Sequence, residues 1–349
     1  MVMSIHMNDM VTLFGKELEL CGVTEGTKVT VLSEVGRSED YVTASMIAAR
    51  NLGAQVFNLS LLPTTGLSPE EKTGNVGVTA LAGNQTAIDA LKSADLVIDL
   101  MFLLFSKEQL EIQAAGTRVL LVAEPFEVLA RLFPSRELRE RVEAGQARLA
   151  KAQQLRFTNP LGTDVTYELG QYPVLTEYGF TDTPGRWDHW PGGFLATNGN
   201  DGRVHGKVVM NQGDILFPFN KYVQEPIEFT IREGHIVDIK GGFDAMLVRE
   251  HMASFRDPRA YAISHIGWGL NHLARWDYLA SGKPTIGMDG RAFYGNVLFS
   301  TGPNVELGGT NDTRCHLDLP MKGCTLYLDD ELIVKDGEIV SKDMRAPGL

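Results

Sequence analysis

The stretch Thr27–Leu62, TKVTVLSEVGRSEDYVTASMIAARNLGAQVFNLSLL, contains the unit from which the fold is read. Thr27 to Glu34 is rich in β-branched and apolar residues, the pattern of a buried strand. The chain passes through Gly36, and Ser38 stands where a helix N-cap is wanted, with Glu39 and Asp40 in the first turn. The helix runs to Leu52, Gly53 ends it, and Ala54 to Leu61 reads as the next strand. Strand, helix, strand at this length is a crossover unit, and parallel strands need such crossovers.

The same alternation extends on both sides. Before it, Met10, Val11, Leu13, Phe14 and Leu18 give Asn8 to Cys21 a helical spacing. After it come a helix at Gln85–Ser93, a strand at Asp95–Phe102, a helix at Ser106–Ala115, a strand at Thr117–Ala123, a helix at Phe126–Phe133 and a long charged helix at Ser135–Ala152. These imply an α/β fold: an N-terminal three-layer α/β domain with a mostly parallel sheet, over residues 1–153. From 154 to 349 the character changes. Short β-branched and aromatic runs separated by Gly and Pro imply a β-rich α+β domain, interrupted by helices at Asp244–Arg256 and around His265 to Leu279.

The chain has 349 residues, 44% of them hydrophobic, enough for a sizeable core in one large or two ordinary domains. Its formal net charge of −12 excludes a nucleic-acid partner on charge grounds and suits a small-molecule ligand. Three Cys without CxxC spacing fit a reducing, cytoplasmic setting. The N-terminal stretch lacks the pattern of a leader peptide. The apolar run Leu96–Phe105 is too short to span a bilayer and contains Asp99, so no membrane association is expected. The first βα turn, Ser33–Arg37, lacks both GxGxxG and the phosphate-loop lysine pattern, which argues against a nucleotide cofactor.

The chemistry concentrates near the C-terminus. His316 and Asp318 are two apart, so on a strand both would face one side and Leu317 the other. Spacing alone leaves two readings open. One is a hydrogen-bonded strand histidine beside a surface acid. The other is a metal site completed by a distant group such as His265, and two His with one carboxylate is the donor set of non-haem Fe(II) oxygenases. His189, in the loop RWDHWPGGF, reads either as a structural plug or as a proton shuttle. Arg291, in DGRAFYGNVLFSTGPN, either binds a carboxylate, phenolate or carbonyl oxygen or pairs with an acid at the edge of the core. Ser300 either binds substrate or satisfies a backbone group. Asp214, in NQGDILFPFN, reads as a turn residue leading into a strand.

Two resemblances follow from these residues. SHIGWGLN around His265, with CHLDLPMKGCTLYLDDELIVKDGEI after it, resembles the C-terminal half of the thermophilic aminopeptidases, in which a His and a later His-x-Asp help to bind two metal ions. NQGDILFPFN resembles their first ligand stretch, with Asp214 in place of Glu. Their second metal-binding Glu has no counterpart, because the corresponding region reads GGFDAMLVREHM. The mononuclear set that remains, together with RWDHWPGGF, DGRAFYGNVLFSTGPN and the overall length, resembles the 2,5-dihydroxypyridine 5,6-dioxygenases of nicotinic acid degradation. That resemblance implies ferrous iron held by His265, His316 and Asp318, and O2-dependent opening of the ring to N-formylmaleamate. Within it, His189 is expected as the acid–base group and Arg291 and Ser300 as substrate binders, with Leu104 and Phe105 walling the ring. A dinuclear aminopeptidase is the alternative. A homo-oligomer is expected if the helix at Ser135–Ala152 bridges subunits rather than facing solvent.

Overall fold

A computed structural model describes residues 6–64 and 66–348. The first five residues, part of the stretch read against a leader peptide, lie outside the described residues. The chain divides into two compact units: Met1–Pro69, Gly77–Pro134 and Tyr178–Gly192 form one, and Glu70–Val76, Ser135–Glu177 and Gly193–Leu349 the other. A single cut after residue 153 does not reproduce this division. The helix Arg136–Leu149 groups with the second unit, and a strand beyond residue 177 returns to the first.

The first unit carries a five-stranded sheet ordered Gln55–Leu61, Lys28–Glu34, Leu96–Asp99, Arg118–Val122, Trp187–Trp190, with every pairing parallel. Lys28–Glu34 lies inside the sheet and is buried at every position but Lys28, as its apolar run requires. Asn84, Ser106 and Ser135 cap the helices that follow them, accepting from the N–H groups of Ala87, Gln109 and Leu138. Ser38 does not cap. Its φ of 52° is left-handed, whereas a capping residue needs extended backbone to bring its oxygen onto the first-turn N–H groups.

The expected loop around His189 is instead the edge strand Trp187–Trp190, and all four of its residues are buried. Asp188 disguises it in the sequence. Its buried carboxylate accepts N–H bonds from Tyr178, Gly179 and His189 and is paired with Arg186 at 2.5 Å, so a charge sits inside a strand with its acceptors satisfied. Trp190 is then free to pack edge-on to Phe14 and Phe133.

Among the described residues, the second unit holds a two-stranded sheet of Ile215–Leu216 with Lys221–Tyr222 and two large antiparallel sheets. The larger has eight strands and runs from His235–Gly241 at one edge to Glu338–Ile339 at the other. The smaller is ordered Leu317–Met321, Val297–Thr301, Ile263–Gly269, Phe194–Asn198, Leu175–Glu177. Ile263–Gly269 was expected near the start of a helix and is a strand, hydrogen-bonded to a neighbour on each side. Tertiary pairing overrides local spacing here, and Gly267 shows how tightly. A Cβ at that position would overlap the Leu195 carbonyl and sit 2.9 Å from the Ala196 Cα. Gly267→Ala is therefore expected to cost at least about 1–3 kcal/mol by overpacking. Thermal unfolding checks this, and an unchanged melting temperature would contradict the close pairing.

Candidate metal centre

Three strands of the smaller sheet bring the site together. Along Ile263–Gly269, His265 stands opposite Asn198. On Val297–Thr301, Ser300 stands opposite Asp318. Between Ile263 and Ile266 the register slips by one residue, so Ser264 and His265 share the place opposite Ser300. Such a bulge re-aims a side chain, and this one falls at the histidine that joins the site. His316 just precedes the strand Leu317–Met321, and alternation puts it on the same face as Asp318. Phe194, Ala196 and Leu298 of this sheet form a buried apolar cluster with Met288 and Ala292.

His265 Nε2 is 3.1 Å and His316 Nε2 3.5 Å from the same oxygen, Asp318 Oδ1. All three residues are buried. Among the described residues, His265, His316 and Asp318 form a group whose ligand atoms all lie within 4.8 Å of one another. Metal bonds of about 2.1 Å put donors at right angles roughly 3 Å apart, close to the spacing of each imidazole Nε2 from Asp318 Oδ1. The donors also suit a divalent cation chemically. His316 Nδ1 lies 3.1 Å from the Thr73 carbonyl. A carbonyl only accepts, so Nδ1 carries the proton and Nε2 presents its lone pair toward Asp318. Burial holds the His316 pKa down to about 4, against the opposing pull of Asp318, so the ring is neutral at pH 7. Burial alone would raise the Asp318 carboxyl, but His316, Arg291 and His265 hold it well below the usual carboxylate range. A neutral His316 and an ionised Asp318 are what the mononuclear ferrous set requires of those two ligands.

Arg291, on the short helix Met288–Arg291, donates from Nε to Asp318 Oδ2 at 2.6 Å and from Nη1 to the Ile286 carbonyl. Its guanidinium lies 4.1 Å from the Phe217 ring centroid. The acid it pairs with is thus one of the three clustered groups. The Ser300 hydroxyl donates to the His265 carbonyl at 2.7 Å and so fastens the bulge.

Leu104, Phe105 and His189 belong to the first unit. His189 is buried, and its own N–H is held by Asp188 at 2.8 Å. Leu104 and Phe105 follow the strand Leu96–Asp99 in a turn tied by the Asp99 carboxylate, which accepts from the N–H groups of Met101, Phe102 and Leu103. Phe102 and Phe105 have φ of 68° and 65° there, a conformation unfavourable for bulky residues.

Asp214, the position resembling an aminopeptidase ligand, has its carboxylate engaged otherwise. It accepts from Asn211 N at 2.7 Å and Lys322 N at 2.9 Å, tying a turn to the end of the strand Leu317–Met321. Burial raises its pKa to about 6.

Three groups at the site carried no sequence signal. Thr73 acts through a backbone carbonyl, which no side-chain pattern announces. Asn198, in ATNGN, reads as a turn residue but is buried at the end of a strand. Glu306, in NVELGG, reads as a loop acid. Both of its carboxyl oxygens are nevertheless buried, and burial lifts its pKa to about 7, with His265 pulling it down and Asp318 pushing it up.

Known proteins resemble this chain over nearly its whole length. A family model described as NicX, 2,5-dihydroxypyridine 5,6-dioxygenase, matches residues 9–341. The 2,5-dihydroxypyridine 5,6-dioxygenase of Pseudomonas putida KT2440 is 44% identical over 347 residues, covering 98% of this chain and 99% of the relative. The solved structure of the 2,5-dihydroxypyridine dioxygenase from the same organism superposes with a TM-score of 0.95 at 43% identity, covering 98% of this chain and all of that one. AmpT from Thermus thermophilus superposes with a TM-score of 0.65 at 13% identity, over 96% of this chain and 99% of its own, a likeness of fold alone.

Proposed function

Because the chain belongs to the family of 2,5-dihydroxypyridine 5,6-dioxygenases, we propose that this enzyme opens 2,5-dihydroxypyridine with O2 to N-formylmaleamate, using ferrous iron, in nicotinate breakdown. The observation that carries the reading is the convergence of His265 Nε2 and His316 Nε2 on Asp318 Oδ1. These three side chains would hold the iron, which when bound supplies the redox partner that lets O2 react with the ring.

The residues of the chain do the rest. Thr73 fixes the His316 tautomer, and Arg291 keeps the Asp318 carboxylate ionised and oriented. Burial of the three side chains excludes bulk water, which strengthens each electrostatic contact. Arg291 also offers the cation to which an ionised ring hydroxyl would be drawn, and Ser300 retains lone pairs for a substrate donor. His189 is assigned the proton exchanged with the ring hydroxyl, and Leu104 and Phe105 apolar contact with the ring. His189→Ala is expected to lower turnover by about 10²–10⁴-fold, the usual worth of a positioned acid–base group, with iron content near that of the parent. Loss of iron in that variant would instead make His189 structural.

Metal analysis tests the reading against its rival. One iron per chain supports the oxygenase. Two zinc or cobalt ions per chain would support the aminopeptidase, whose first ligand position here, Asp214, is committed to backbone N–H groups. Among the described residues no helix is long and apolar enough to cross a membrane. A cytoplasmic homo-oligomer is part of the proposal, and light scattering on the purified enzyme checks its size.

A further inference from the structure

We propose that Glu306 is a positioning residue for the metal site, its carboxylate accepting the proton carried on the outer nitrogen of His265. His265 Nε2 faces Asp318 Oδ1, so Nε2 is the nitrogen turned to the metal position. An imidazole that gives its Nε2 lone pair to a cation carries its proton on Nδ1. The change is one of tautomer. That proton needs an acceptor, as ligating histidines regularly hand their second N–H to a carboxylate or carbonyl. His316 has one in the Thr73 carbonyl. His265 Nδ1 is buried and has no hydrogen-bond partner among the described residues. Two acceptors without a partner from another residue lie on segments tied to its strand. Glu306 has both carboxyl oxygens buried with no partner from another residue, its own backbone N–H opposing the effect of burial, and the charges of His265 and Asp318 both act on it. Asn198 stands across the strand from His265 with both amide atoms likewise buried and unbonded.

The fold ties the segment that carries Glu306 to the His265 strand. Glu306 lies on the turn Val305–Leu307. The segment leading into that turn is fastened to the His265 strand and its approach, by Gly302 N to the Ala262 carbonyl at 2.9 Å and by the Ser264 hydroxyl to the Pro303 carbonyl. The far side is closed by Asn304, whose N–H donates to the Asn311 carbonyl at 3.1 Å and whose side-chain oxygen accepts from Asn311 N at 2.9 Å. A buried carboxyl with no donor beyond its own backbone N–H is costly in a metal-free chain, and such a group is retained where loading the site gives it another. Glu306 is preferred to Asn198 as the acceptor because a carboxylate also offsets cation charge.

This inference rests on the triad being a metal site, so its test reads metal binding and not turnover. Ferrous iron is titrated anaerobically into metal-free parent, Glu306→Ala, Glu306→Gln and Asn198→Ala, in competition with a chromogenic chelator, and metal-free melting is recorded for each. The expected result is 10- to 100-fold weaker iron binding in Glu306→Ala. Glu306→Gln, which keeps an acceptor oxygen, should recover part of that loss. The metal-free melting temperatures of both should equal or exceed the parent's, because an unpaired buried carboxyl does not stabilise the empty fold. Iron binding by Glu306→Ala within twofold of a parent that binds well would overturn the inference alone. So would a loss confined to Asn198→Ala, or equal losses in both Glu306 variants accompanied by lower metal-free melting. A parent that fails to bind ferrous iron would instead sink the metal reading on which the inference stands.

Discussion

Asp318→Ala is expected to abolish ring opening and to weaken ferrous binding by more than the roughly 10- to 100-fold that loss of an outer partner costs. Asp318 is the common point of the site. One oxygen faces both imidazoles, and the other accepts from Arg291. Removing it deletes the negative ligand and leaves the guanidinium buried against nothing of opposite charge. Asp318→Asn separates these effects, because an amide oxygen can still accept from Arg291 while the charge is gone. It should fold better than the alanine variant yet bind iron nearly as poorly. The same carboxylate shapes acid stability. Its pKa is depressed in the folded chain, so its contribution is present above the ordinary aspartate value of about 4 and is lost as pH falls through the depressed one. Acid titration of metal-free Asp318→Asn should show a shallower loss of stability than the parent over that interval. Full iron affinity and turnover in either variant would contradict the assignment.

Arg291→Ala is the second large effect. The guanidinium is paired with Asp318 in a buried setting, and breaking such a pair by removing one partner costs about 3–5 kcal/mol. The metal-free variant should melt well below the parent. Ferrous iron should restore part of the difference, because a cation beside Asp318 replaces some of the lost compensation. Turnover should stay low after iron is restored, since the charge offered to substrate is absent. Arg291→Lys should not rescue it: an ammonium cannot reach Asp318 Oδ2 and the Ile286 carbonyl in the fork that Arg291 uses while lying over Phe217. Metal-free Arg291→Ala melting with the parent would show that the pair does not matter to the fold.

The parallel sheet was legible because its strands advertise themselves. Lys28–Glu34 is a nearly unbroken buried run, and Gly53 marks a helix end that the structure places within a residue or two. The strand Trp187–Trp190 was hidden by Asp188, whose charge reads as a loop until its three N–H donors and Arg186 are seen around it. Ile263–Gly269 was hidden because its state is decided by strands distant in sequence, Phe194–Asn198 and Val297–Thr301. The His-x-Asp pair was legible from alternation, and His265 from the resemblance. That Arg291 pairs with Asp318, that a bulge turns His265 and that Thr73 orients His316 all depend on contacts between segments far apart in the chain, or on backbone atoms. No local pattern encodes these.

Oxygen uptake by the purified enzyme on 2,5-dihydroxypyridine, with and without added ferrous iron, tests the central claim most directly. Uptake should need both ring and iron, consume one O2 per ring opened and disappear in Asp318→Ala. Undiminished uptake by Asp318→Ala, or none by the iron-loaded parent, would contradict it.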